Sequence, residues 1–330
     1  MLLMVTNRRF VNGRYGDEEK PNNKFDYRYG YDRKPAGRGD FEQVGKIGFE
    51  AAMLTELKRL RAEEGINTPK VGIYIHGYNN DYQDSIDELI DLEKNLIRVA
   101  GYPPVLIGFS WPSTGRTSRY LSDREQARDS VGAFTRFLLD INDFVVKSEQ
   151  DCFSTTFCIA HSMGNYLLRK GMEYMSDYLG TPRGRLLFSE TLLLAPDLAS
   201  KDIEFDGKGN YIAHFSRRVH VYYSRHDRAL KASSIKRFGG ARLGREGVEN
   251  YDNLPRNVVV VDAEKYANSA SCEGLVERNG RQVSVHSGYK YHPDILKDIA
   301  QVLSSVDRNL ISGRETMILD HDPANHFRLI

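Results

Sequence analysis

At 330 residues, 40% of them hydrophobic, the chain is long enough to fill one large core or two small ones and has an ordinary globular composition. Lys and Arg number 46 against 45 for Asp and Glu, a net charge of +1, so there is no general electrostatic reason to expect nucleic acid or an anionic membrane as a partner. Three cysteines, Cys152, Cys158 and Cys272, without any Cys-x-x-Cys spacing, speak against a disulfide scaffold or a zinc knuckle. The opening "MLLMVTNRRF" is too short for a signal-peptide core, and no apolar run approaches the ~18 residues of a membrane span. The expectation is a cytoplasmic protein without a transmembrane segment.

In chain order, "LLMVTN" predicts a short strand. Residues 11–40, rich in Gly, Tyr and charge, predict an irregular arm. Apolar residues from Val44 to Leu60 recur at helical spacing and Gly65 closes the run. Beyond it, β-rich apolar runs at 71–75, 105–110, 154–160, 191–195, 219–224 and 257–262 are interleaved with helical patterns at 81–100, 119–147, about 163–178 and, from Pro293, to about Val306. Short strands buried on both faces, alternating with helices, predict an α/β fold with a mostly parallel central sheet and helices on both faces. With no repeat and no linker, one domain is expected over 1–330, with the arm before it and an irregular tail from about 305. Charge is uneven: Arg217 to Arg245 holds nine Lys/Arg and one acid, Asp227, while "DYQDSIDELIDLE" (81–93) holds six acids and no base. Solvated faces are the expected explanation.

The chemistry centres on "IAHSMGN" (159–165). A serine hydroxyl is a weak nucleophile that needs an adjacent base. A sharp strand-to-helix turn exposes it if the residues two places to either side are small, the Gly-x-Ser-x-Gly elbow. Here Ala160 and Gly164 flank Ser162, which follows "STTFCIA" and precedes the helix-forming "NYLLRKGMEYM". Attack on a carbonyl also needs backbone N–H groups aimed at the developing oxyanion. The amide of Met163 is one candidate, and that of Tyr78, in the turn "IHGYNN" with His76 and Gly77, is the other.

Together "YIHGYNN", "GFSWPS" with Trp111, "AHSMGN", "LLLAPDL" and "VYYSRHDRAL" resemble the α/β-hydrolase superfamily, and within it an uncharacterised bacterial branch known as a domain of unknown function. The resemblance spans about 70–304, with Ala160 departing from the commonest elbow. It implies the fold and, beyond that, ester or other acyl hydrolysis by a triad in the order Ser, Asp, His. It places the acid on the loop holding Asp227, with Asp197 the alternative. It points to His286, ahead of the helix that Pro293 opens, as the base, with His292 the alternative; His321 and His326 fall in the tail. His161 is expected to pack under the elbow. The expected function is a serine hydrolase that cleaves an ester of a small-molecule or lipid-like acyl substrate without metal or other cofactor. A non-catalytic binding member of the fold and a serine peptidase or amidase are the alternatives. The polar stretch 197–218 argues against a large lipase lid.

Overall fold

The computed structural model describes residues 2–17, 28–32, 44–66, 69–101, 103–147, 156–179, 186–236, 240–318, 320 and 322–330. Cys152 and His321 lie outside them. Strand β1 (Leu2–Thr6) leads into a hairpin of β2 (Phe10–Val11) and β3 (Arg14–Tyr15), then β4 (Arg28–Asp32) and helix α1 (Gly45–Glu63). The alternating body follows: β5 (Val71–Ile75), α2 (Tyr82–Ala100), β6 (Val105–Ser110), α3 (Tyr120–Asp129), α4 (Val131–Lys147), β7 (Thr156–His161), α5 (Gly164–Leu179) and β8 (Phe188–Leu194). Next come α6 (Asn210–His214), β9 (Ser216–Tyr223), α7 (Arg228–Lys236), α8 (Leu243–Glu246), β10 (Val258–Asp262), α9 (Ser269–Cys272), α10 (Pro293–Leu303), β11 (Arg314–Thr316) and β12 (His326–Leu329).

One ten-stranded sheet runs β11-β12-β10-β9-β8-β7-β5-β6-β1-β4. From β12 to β1 every neighbouring pair is parallel; β4 and β11 add an antiparallel strand at each edge. Strand alternation divides the core. Val71, Ile73 and Ile75 of β5 pack with Phe49, Met53, Phe134, Phe137 and Leu167 from α1, α4 and α5 on one face. Tyr74, one residue out of phase, packs on the other face with Leu89 and Leu96 of α2 and Ile295 and Ile299 of α10. A sheet buried on both sides needs apolar residues at both parities, which is why these strands read as continuous runs.

Three expectations are corrected. The tail is not irregular: β11 and β12 extend the sheet, and His326 begins β12, paired in register with Val260. These strands are three and four residues long, too short for their alternation to register against the surrounding turns. Within the arm, β4 pairs antiparallel with β1. The helical pattern at 119–147 is two helices broken at Ser130, whose side chain bonds the carbonyl of Gln126 at 2.8 Å and accepts from Asn7 at 2.8 Å, a contact to the turn after β1. The described cysteines, Cys158 and Cys272, are buried free thiols, and no helix among the described residues is long and apolar enough to cross a membrane.

Candidate active site

The residues singled out in the sequence gather at the carboxyl ends of the parallel strands, where crevices open in such sheets. Ser162 follows β7 with φ of +53°, a left-handed conformation costing a non-glycine residue about 1–2 kcal/mol. The turn is over-determined. Its amide donates to Leu194 O at 3.0 Å, its carbonyl accepts from Asp197 N at 3.2 Å, and Asn165 Nδ2 ties Ala160 O and Ser162 O at 3.0 and 3.1 Å. Gly164 is required by close approach, since a Cβ there would lie 2.5 Å from Ile75 O and 2.6 Å from His76 O. Gly77 is required by the serine itself: its Cβ would fall 2.9 Å from Ser162 Cβ.

The loop after β5 is held by polar groups that no local motif announces. His76 lies stacked on Trp111, ring centroids 5.1 Å apart and planes 3° from parallel. Its Nδ1 donates to Gly77 O (2.7 Å) and its Nε2 accepts from Trp111 N (3.2 Å), while Trp111 Nε1 donates to His76 O (3.0 Å). Burial, helped by the charge of Arg8, holds this imidazole neutral, with its pKa lowered to about 3. On the following turn Asp123 of α3 accepts from Asn79 N, Ser113 Oγ and Thr114 N, and Ser113 Oγ accepts from Asn80 N. Arg8, fully buried after β1, donates to Asn80 O, Ser113 O, Ser110 Oγ and Asp17. With residues 79 and 80 so tied, the amides of Tyr78 and Met163 donate no hydrogen bond within the described residues, although Met163 is completely buried. Two N–H groups beside one serine without acceptors are the arrangement an oxyanion would satisfy.

Asp227 lies after β9 at the start of α7, where its Oδ1 accepts from Leu230 N at 3.0 Å. Its Oδ2 meets His286 Nδ1 at 2.6 Å, and the carboxylate is fully buried. The carboxylate accepts a hydrogen bond from Nδ1–H, so in the neutral ring Nε2 carries the lone pair; that nitrogen is buried without a hydrogen-bond partner. Burial disfavours the imidazolium, but the Asp227 charge and hydrogen bond outweigh it, and the His286 pKa is raised above its ordinary value. The histidine is brought over the elbow by the loop from β10. Its carbonyl accepts from His161 Nε2 at 2.8 Å, and the two rings are 4.8 Å apart. His161, adjacent to Ser162, is 3% exposed and its pKa is pushed well below the ordinary value by burial and then by Lys290.

The alternatives sit elsewhere. Asp197 is 1% exposed and already occupied by Tyr120 Oη (2.5 Å), Ser233 Oγ (2.7 Å) and Arg242 Nε (3.5 Å). His292 caps α10, accepting from Asp294 N at 3.3 Å, and stacks on Tyr266. His326 is committed to Tyr251 Oη at 3.2 Å and Tyr223 Oη at 3.4 Å. A cleft of about 320 Å³ opens beside the pair, with Tyr78, His161 and His286 in its wall. A larger depression of about 520 Å³, between Arg128 and Lys170 on α3 and α5, includes none of these loops.

Residues 51–274 match the family described as alpha/beta hydrolase of unknown function, DUF900. The chain belongs to this family. The DUF900 match begins within α1 and ends at residue 274, inside the stretch from β10 that carries His286 and ahead of that histidine. An uncharacterized protein of Nostoc sp., alr1448, is 25% identical over 262 residues, 68% of this chain, and the chain spans 65% of that relative's length. Among solved structures, Aspergillus fumigatus lipase B aligns with a TM-score of 0.43 and 13% identity over 73% of this chain and 54% of that one. Phospholipase PlaB from Legionella pneumophila aligns with a TM-score of 0.25 and 17% identity over 60% and 38%. The family match, together with the parallel sheet and its elbow, carries the assignment to the α/β hydrolases.

Proposed function

We propose that this protein is a serine hydrolase acting on a carboxylic ester by double displacement. The observation that carries the reading is the His286 Nδ1 to Asp227 contact of 2.6 Å, with Nε2 left unpartnered and the ring 4.8 Å from that of His161, the neighbour of Ser162. In the first half-reaction His286 Nε2 takes the Ser162 proton as Oγ attacks the acyl carbon. Asp227 holds the tautomer and stabilises the imidazolium, and the Tyr78 and Met163 amides receive the oxyanion, each worth about 3 kcal/mol of barrier by analogy with single-donor deletions. The imidazolium then protonates the leaving alcohol, and water attacks the acyl-enzyme with His286 again as base. The binding-module alternative leaves unexplained why strain, free amides and an oriented imidazole coincide at one turn.

The test is labelling by a fluorophosphonate probe with peptide mapping, on wild type, Ser162→Ala and His286→Ala. The reading expects an adduct on Ser162 of the wild type and none in either variant; a folded wild type that takes no label overturns it.

A further inference from the structure

Side chains along β7 alternate between the two faces of the sheet. Cys158 and Ala160 belong to the core under α1, α4 and α5, and Phe157 and Ile159 to the core under α2 and α10. His161, two places past Ile159, therefore turns to the α2 and α10 face at the last position before the elbow. It meets the loop from β10 there, and donates Nε2–H to the His286 carbonyl at 2.8 Å, because a carbonyl can only accept. Its other edge rests on the turn after β5: a Cβ on Gly77 would lie 3.2 Å from His161 Nδ1. One buried ring thus meets the nucleophile through the chain, the Gly77 turn through packing and the base through a hydrogen bond.

The loop itself is clamped to α2, which accounts for part of the acidic stretch 81–93. Lys290, its side chain 1% exposed, donates to Glu88 Oε1 at 2.5 Å, and Tyr74 Oη of β5 donates to Glu88 Oε2 at 2.6 Å. Asp91 accepts from Tyr291 Oη at 2.8 Å and from Arg278 N at 2.9 Å, and Asp87 pairs with Arg278 at 3.3 Å. These contacts fix the loop on either side of His286. The hydrogen bond from His161 grips the backbone of His286 itself.

We propose that His161 is a positioning residue: its neutral imidazole, as the Nε2–H tautomer, holds the backbone of His286 at a fixed distance from the Ser162 elbow. The proposal rests on the serine-hydrolase reading and deepens it. The charged groups that face His161 are Lys290 and Glu88, paired with each other, and His286. Burial and then Lys290 oppose a charge on the ring, and Nδ1 has no acceptor for a second proton. Although the two rings are 4.8 Å apart, the Ser162 proton is therefore directed to His286, whose imidazolium Asp227 stabilises.

The test compares wild type, His161→Gln and His161→Leu by the rate of fluorophosphonate labelling at Ser162 and by kcat and KM for p-nitrophenyl acetate. Gln brings an amide N–H near the place of Nε2; Leu fills the space without a donor. In folded His161→Leu, kcat and the labelling rate are expected to fall about ten- to a hundredfold with KM little changed, the loss that follows a displacement of about 1 Å between reacting groups. His161→Gln is expected to recover most of it. Wild-type rates in folded His161→Leu, or no recovery in folded His161→Gln, overturn the proposal and leave the hydrolase standing. Where a variant does not fold, 15N NMR of the wild-type histidines decides. A neutral Nε2–H ring at His161 is expected throughout about pH 6 to 8, and an Nδ1–H or charged ring there overturns the proposal. A folded wild type in which Ser162 takes no label removes the hydrolase reading and this proposal with it.

Discussion

The proton on His286 is set by two opposed forces, and their balance is measurable. Burial pushes the imidazole toward neutrality, and Asp227 at 2.6 Å pulls it back toward the cation, leaving the pKa raised. A general base must be neutral, so kcat/KM should rise with pH through an apparent pKa above ~6.5, the ordinary histidine value. Asp227→Asn removes the raising force and keeps the burial. The acid limb should then move below ~6.5 while kcat falls by about 10⁴ at neutral pH through loss of the correct tautomer; an unmoved limb would show that another group titrates. Asp197→Asn, which alters a carboxylate held by Tyr120, Ser233 and Arg242, removes a weaker raising charge than Asp227 and should lower that limb by less than Asp227→Asn does, which the same pH profile checks. The serine, its flanking small residues and the His-Gly turn were legible in the sequence because elbow geometry demands them at fixed offsets. Arg8 and Asp123, which tie down the oxyanion loop, were not. Arg8 acts across 72 to 105 residues of chain and Asp123 reaches back 44 to Asn79, and a lone Arg or Asp carries no local sign of the carbonyls and amides it will meet.

At the scale of elements, the site depends on how closely α5 and the β5 loop approach each other. Gly164 begins α5 against the backbone at Ile75 and His76, and a methyl group at 2.5 Å from a carbonyl oxygen cannot be absorbed by a rotamer change. Gly164→Ala should lower stability by about 3 kcal/mol or more, read as a shifted urea midpoint, whereas Gly280→Ala, with open space around it but φ of +84°, should cost about 1–2 kcal/mol of backbone strain and leave the elbow intact. Equal effects would mean the contact at Gly164 relaxes freely. Arg8 supplies the companion test: Arg8→Ala leaves buried carbonyls of Asn80 and Ser113 without donors, a loss of about 2–4 kcal/mol, and should slow fluorophosphonate labelling of Ser162 because the Tyr78 amide is no longer held. The parallel body of the sheet was readable from apolar runs because burial on both faces leaves no polar alternation to confuse it. The added strands β4, β11 and β12 were not: each is five residues or fewer and finds its place only by pairing with an edge that the rest of the chain has built.

For the whole molecule, the histidines make stability and activity oppose acid together. His76, His161, His220 and His326 are all buried, and in each desolvation comes first among the causes that lower the pKa: to about 3 for His76, to about 4 for His220 and His326, and well below the ordinary value for His161. Unfolding frees these rings to protonate at ~6.5. Between that pH and the folded values the unfolded chain binds more protons, so stability rises with pH and is lost as pH falls. His286 has the opposite sign: its raised pKa favours the folded state below ~6.5, and that contribution fades as pH rises through the folded value. Near pH 5.5 His286 is charged in both states and drops out of the slope, leaving the four buried rings to take up about four protons on unfolding, at most about 5 kcal/mol per pH unit. Urea unfolding followed from pH 7.5 to 5 should therefore show a steep loss of stability beginning near pH 6.5, before the carboxylates titrate. The variant His220→Gln tests the assignment. His220 lies at the buried Glu190 and Arg218 cluster, remote in the sheet from the elbow, and its replacement should cut the acid slope by about one proton without moving the His286 limb of the pH–rate profile. A slope unchanged in that variant would mean that the ring is already protonated in the fold.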